Sequence, residues 1–189
     1  GWVYYIASPD NVTQRYLYRS KLDGSRTDER VTPARFQGWN SYNFSPNAHW
    51  AVQISSSFGK YSKIDLLDLR SGSVARSIVD NASAQAKLDK LTKGPQEFFR
   101  IDIGSDVSLD GWMMKPPNFD PAKKYPVLFY AYTEPAGTTV NDQWAGSQYF
   151  WYLMLTQQGY VVASVDNRGT PSPRGRAFRK SIYRKIGVL

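Results

Sequence analysis

The sequence predicts a chain of mixed β and α/β character, and three observations carry that prediction. Through residues 1–81, short runs of alternating polar and apolar residues recur between Pro, Gly, Asn and Asp, as antiparallel strands joined by turns require. From residue 82 onward, two almost wholly apolar runs at 127–132 and 160–165 alternate with segments of helical spacing, which is the α/β order. Aromatic residues make up 15% of the chain, with 6 Trp and 13 Tyr, enough large rings to fill β-rich cores.

The β-rich part begins with a run over 2–7 and an alternating strand over 15–22, joined through the turn residues Ser8, Pro9, Asp10 and Asn11. Asp23-Gly24-Ser25 closes a hairpin, and 29–32 forms the next short strand. The pattern restarts at 41–44, turns at Ser45-Pro46-Asn47-Ala48, and continues over 49–55, 63–69 and 74–79. Strands at this spacing indicate a sandwich, barrel or propeller. Beyond Asp80-Asn81 the period changes: Ala84, Leu88 and Leu91 share one face of a short helix capped by Asn81 or Ser83. The domain boundary is placed here, giving parts 1–81 and 82–189.

In the second part, 97–103 and 109–115 form a hairpin around Gly104-Ser105-Asp106. The run Val127–Tyr132 is apolar on both faces, which predicts a strand inside a parallel sheet covered on both sides. Residues 148–157 predict a helix apolar nearly all round and therefore buried, ended by Gly159. A strand over 160–165 leads into Asp166-Asn167-Arg168-Gly169, and a second helix starts near Arg176 with Phe178, Ile182 and Ile186 as its apolar stripe.

Composition excludes several functions. With no cysteine, the chain has neither disulfides nor thiolate chemistry. No apolar run approaches the ~18 residues of a membrane span, and Gly1–Tyr5 lacks the basic leader and apolar region of a signal peptide. The net charge is +8, and no acid follows Asp166, whereas Arg168, Arg174, Arg176, Arg179, Lys180, Arg184 and Lys185 do. This run is either a phosphate-binding stripe or a solvated helix face whose acidic neighbours lie in further chain. No nucleic-acid motif accompanies it, so no nucleic-acid partner is expected.

The catalytic motifs are equally restrictive. The G-x-S-x-G nucleophile elbow is absent. His49 is the sole histidine, at the exit of a Pro-Asn turn in the β-rich part, and reads as a turn or surface residue rather than a general base. No Ser-His-Asp triad can therefore be assembled from these residues. Metal-ligand spacing and the phosphate-loop motif are also missing, so no cofactor is expected. Asp102, Asp106 and Asp110 lie close in sequence, with hairpin and loop placement as their ordinary reading.

Several segments nevertheless carry a resemblance. These are Lys123-Lys124-Tyr125-Pro126, Tyr132-Thr133-Glu134-Pro135 and Val161-Val162-Ala163-Ser164-Val165-Asp166-Asn167-Arg168-Gly169. Met114-Lys115-Pro116-Pro117 with Phe119-Asp120 and the upstream hairpin Phe44–Ser55 fit the same pattern. Together they resemble the dipeptidyl peptidase IV-like serine peptidases of the prolyl oligopeptidase family, in their bacterial type. The resemblance implies the C-terminal strands of a β-propeller over 1–81, one full blade and part of a second. Over 82–189 it implies the N-terminal half of an α/β-hydrolase domain, truncated before the nucleophile elbow.

The resemblance also implies a function for a longer parent protein. That parent releases N-terminal dipeptides, X-Pro or X-Ala, by acyl-enzyme chemistry, with Ser, Asp and His downstream and this chain inactive alone. Tyr132, rather than Tyr130, takes the family's oxyanion-donor position, although Glu134 stands where the family pattern Tyr-small-Gly-Pro has glycine. Glu134 itself is a candidate contact for a substrate's cationic N-terminus, and Asp166 and Arg168 read as residues that order their loop. Expected partners are a peptide substrate and a second copy of the parent, in the periplasm, the extracellular space or the cell envelope rather than the cytoplasm. The alternatives are an acylaminoacyl- or oligopeptidase of the same family, or a non-catalytic propeller-linked binding module with a basic helix.

Overall fold

The computed structural model describes every residue except Thr133, Ile186 and Leu189. The described residues form two compact units, one of 1–89 with 141–144 and one of 90–140 with 145–189.

The first unit holds two antiparallel sheets. Strands β1 (Trp2–Ala7), β2 (Tyr16–Lys21) and β3 (Glu29–Arg30) pair in that order, with Tyr5 opposite Tyr18 and Tyr18 opposite Arg30. Strands β4 (Trp39–Phe44), β5 (Trp50–Ser57), β6 (Lys60–Asp68) and β7 (Ser73–Val79) form a four-stranded meander, the build of a propeller blade. Strand period explains which side is covered: Ala51, Gln53 and Ser55 alternate inward along β5. Between the sheets Leu17, Val31, Ala51 and Leu69 make a buried cluster, flanked by Tyr4 and Tyr42. A polar row runs through the same layer. Asn40 donates to the Arg15 carbonyl at 2.8 Å, and Gln53 donates to Asn40 Oδ1 at 2.7 Å. The Tyr42 and Thr32 hydroxyls share a hydrogen bond of 2.5 Å. Burial pushes the Tyr42 phenol up to about 12.

Helix α1 (Ala82–Asp89) belongs to this first unit. It starts two residues before the predicted Ala84 and stops short of Leu91, so of the three expected stripe residues only Leu88 is buried. Asp80 Oδ1 accepts from the Ala82 amide at 2.9 Å, taking the capping role predicted for Asn81 or Ser83. Asn81 instead turns its side chain onto the Ser62 carbonyl at 2.7 Å.

The second unit contains β8 (Gln96–Asp102), β9 (Ser108–Met114), β10 (Val127–Phe129), α2 (Ser147–Gln157), β11 (Val161–Val165) and α3 (Gly175–Lys180). Its sheet has the order β10-β11-β9-β8. Only β10 and β11 are parallel, joined through α2, while β9 runs antiparallel to both neighbours. The sheet is therefore mixed rather than parallel throughout, because the β8–β9 hairpin supplies half of it. That hairpin turns through Gly104, Ser105 and Asp106, all at positive φ, with Asp102 Oδ1 accepting from the Gly104 amide at 2.8 Å.

Within the apolar run 127–132, β10 is three residues long, pairs with β11 among the described residues, and leaves Phe129 67% exposed in this segment. In the same segment α2 covers one face. Tyr149, Tyr152, Leu153 and Thr156, at i, i+3, i+4 and i+7, face the protein, whereas Phe150, Trp151 and Met154 are exposed. Finally, α3 ends at Lys180; Ile182 is buried in the turns that follow, and Ile186 lies outside the described residues. Among the described residues no helix is long and apolar enough to cross a membrane.

Candidate functional site

The parallel pair β10–β11 sets the site's frame, since α/β sheets place ligands beyond the C-terminal ends of parallel strands. The ladder ends where the Tyr130 amide donates to the Ala163 carbonyl at 2.8 Å. The Tyr130 ring turns toward α2, 5.9 Å from the Tyr152 ring, which in turn lies 5.0 Å from Trp112. Burial pushes the Tyr152 phenol up to about 12, with the charge of a neighbouring Tyr130 phenolate adding to the rise. Tyr130 is thus tied into the packing of the helix.

Tyr132 follows the strand and is 49% exposed. Its ring lies against Gly137, where an added Cβ would sit 3.1 Å from both Cδ1 and Cε1. The ring therefore has the surface of its own loop as its support, and a glycine makes the close approach possible. Glu134 is exposed on the same loop, and Thr133 between them lies outside the described residues.

Asp166, at the end of β11, anchors the far end of this loop. Its carboxylate accepts from the Thr139 amide at 2.8 Å, the Thr139 hydroxyl at 3.0 Å and the Val140 amide at 3.1 Å. The Thr139 hydroxyl also meets Ser164 Oγ at 2.6 Å, and Trp112 Nε1 donates to the Thr139 carbonyl at 3.0 Å. All of these donors converge on a buried strand end, so the loop closes on a fixed point. Asp166 does order its loop. Arg168 does not: it makes no hydrogen bond or ion pair among the described residues.

Three further residues, given no role in the site from sequence, complete the frame. Arg179 of α3 donates to the carbonyls of Pro135 and of Gly169, the latter at 2.7 Å, joining the Tyr132 loop to the loop after β11. Gly169 has φ +91°, and a Cβ there would lie 2.3 Å from Ile182. Asp110, read from sequence as a plain loop residue, is buried and accepts from Arg100 at 2.7 Å and Arg174 at 3.3 Å. The basic run thus finds one acidic neighbour within this chain, which the solvated-face reading had placed elsewhere. The signal was Asp110 at an inward-facing strand position opposite Arg100; its partner in the basic run, Arg174, lies 64 residues away in sequence, beyond any local pattern. His49 sits in the first unit with its ring against the exposed guanidinium of Arg70, at 2.8–2.9 Å.

Comparison with known proteins bears on this arrangement. No family model matches the chain. Probable dipeptidyl-aminopeptidase B of Metarhizium robertsii is 30% identical over 189 residues, covering 99% of this chain and 20% of that protein. Probable dipeptidyl peptidase 4 of Emericella nidulans is 29% identical over 197 residues, covering 99% of this chain and 24% of that protein. The crystal structure of Porphyromonas gingivalis dipeptidyl peptidase 4 superposes with a TM-score of 0.88 at 30% identity, over 100% of this chain and 26% of that one. The chain therefore spans about a fifth to a quarter of the length of these proteins. In sequence and in fold, it is a dipeptidyl peptidase IV-like segment of mixed β and α/β architecture.

Proposed function

We propose that the protein to which this segment belongs is a serine peptidase that releases N-terminal dipeptides with Pro or Ala in the second position. The observation that carries the reading is similarity along the entire chain to proteins named dipeptidyl peptidases, in sequence and in fold. Within the segment, Tyr132 is the oxyanion donor. Tyr130 and Tyr132 are similarly exposed beyond β10, at 42% and 49%, but the Tyr130 ring packs on Tyr152 of α2, which leaves the Tyr132 phenol the better placed to meet a substrate carbonyl. As a nucleophilic serine attacks that carbonyl, charge grows on the oxygen, and the Tyr132 O–H donates to it. A donor aimed at developing charge in a pre-formed site contributes on the order of 10²–10³ in rate. The Asp166 clamp and the Arg179 tie hold the loop so that little rearrangement accompanies the reaction. Glu134, two residues on, offers a carboxylate to the substrate's cationic N-terminus.

The nucleophile, its histidine and its aspartate come from chain beyond these residues, and the segment alone is inactive. Fluorophosphonate labelling of the full-length protein, mapped by mass spectrometry, tests the reading. A label on a serine outside this segment, and none on the isolated 189-residue chain, supports it. A folded full-length protein that takes no label overturns it.

A further inference from the structure

The inward face of the β4–β7 sheet opens into a cleft of about 610 Å³, whose walls include Ser55, Lys63, Asp65 and Ser77 from the strands and Arg35 and Phe36 from the preceding loop. This volume is that of a small-molecule or short-peptide site. Asp65 is only 5% exposed, yet no donor among the described residues reaches its carboxylate. Directly across the strand pair, Gln53 is fully buried and its Oε1 has no hydrogen-bond partner. Residues opposite each other on neighbouring strands share a face, with Cβ atoms about 5 Å apart. Gln53 Oε1 thus stands fully buried without a donor, which is costly unless something supplies one, and the Asp65 carboxylate beside it opens onto the cleft.

Lys63 sits two residues along β6 on that same face but forms no ion pair with Asp65. Lys60 is engaged with Asp89 at 3.6 Å. Arg35 and Lys63 are exposed at the mouth, with Asp80 also exposed there, so the cleft has a negative floor and a mainly positive rim. We propose that this cleft binds a basic residue bearing a free α-carboxylate. Its guanidinium or ammonium group donates to Asp65 on the floor, its methylenes lie along Phe36, and its carboxylate meets Arg35 and Lys63 at the rim. A free basic amino acid and the C-terminal Lys or Arg of a peptide share this chemistry. The site is independent of the Tyr132 loop and of any peptidase activity.

Titration of the 189-residue chain with L-arginine, L-citrulline, argininamide and the tripeptide Gly-Gly-Arg, followed by NMR shifts or calorimetry, tests the proposal. Citrulline is the neutral isostere of arginine and argininamide lacks the carboxylate. The expected result is saturable arginine binding, weakened at least about tenfold for citrulline and for Asp65→Asn. A double Arg35→Gln, Lys63→Gln variant weakens arginine but leaves argininamide unchanged. Tighter binding of Gly-Gly-Arg than of arginine assigns the site to a peptide C-terminus, and equal binding assigns it to the amino acid. Equal binding of arginine and citrulline by the unmodified chain, or no saturable binding of either, overturns the proposal without bearing on the peptidase reading.

Discussion

The Asp166 carboxylate holds Thr139 by its amide and its hydroxyl together, at 2.8 and 3.0 Å. This contact spans 27 residues and turns the stretch after Tyr132 from an open connection into a loop with a fixed end. Replacing Asp166 with Ala leaves the Thr139 and Val140 amides without their acceptors, and should destabilise the chain by about 2–3 kcal/mol. Asp166→Asn keeps one acceptor oxygen and should cost less. Urea denaturation checks the order, and faster amide exchange at Thr139 and Val140 should accompany it. An Ala variant as stable as the parent sequence would remove the clamp from the account.

Gly169 offers a separable test of close packing. Its φ of +91° strains any other residue, and a Cβ would press into Ile182 at 2.3 Å. Gly104 has a similar φ of +83° but no atom within 4 Å of the added Cβ. Gly104→Ala therefore reports the backbone effect alone, about 1 kcal/mol. Gly169→Ala adds overpacking on top of it and should lose a further 1–3 kcal/mol, roughly. Denaturation midpoints that fall equally for both would show that the Ile182 contact yields without cost.

How far these features were legible in the sequence depends on the reach of the pattern that encodes them. The strands of the first unit follow from alternation within four to eight residues, and Gly104-Ser105-Asp106 marks its hairpin directly. The run 127–132 is apolar beyond what this segment covers: hydrophobicity states what can be buried, while the coverage of β10 depends on what flanks it. The same holds for α2, whose exposed Phe150, Trp151 and Met154 look no different in sequence from buried Tyr152 and Leu153. Asp166 was legible as a loop-ordering residue because it ends a strand. The ties of Arg179 to Pro135 and of Asp110 to Arg174 were not, since they span 44 and 64 residues of sequence.

Asp110 should show how burial grades an ion pair. Arg174 has 18% of its side chain exposed and Arg100 has 55%, and both reach the same carboxylate. Arg100→Gln should change stability by less than about 1 kcal/mol, as exposed pairs do. Asp110→Asn should lose more, about 2 kcal/mol, because it leaves the better-buried guanidinium of Arg174 with its Ser108 hydrogen bonds but no counter-charge. Thermal unfolding of the two variants decides between this grading and equal contributions.

Alkaline pH should weaken the fold through its buried phenols. Burial raises both Tyr42 and Tyr152 from an ordinary 10.0 to about 12. The folded state therefore holds these protons where the unfolded chain has released them. Their contribution to stability is complete below pH 10.0 and is lost as pH rises toward about 12. Ultraviolet titration should show late-ionising tyrosines, one fewer in Tyr42→Phe, and denaturation midpoints should fall across that window. A titration in which every tyrosine ionises together near the ordinary value would contradict the buried placement.

The most direct test compares Tyr132→Phe with Tyr130→Phe in the full-length protein, measuring hydrolysis of a Gly-Pro anilide. If Tyr132 donates to the oxyanion, its loss lowers kcat by about 10²–10³ with KM nearly unchanged. Tyr130→Phe, which alters only packing against Tyr152, keeps kcat within a few-fold. An unimpaired Tyr132→Phe enzyme, or an equal loss in both variants, would contradict the assignment of Tyr132 to the reaction.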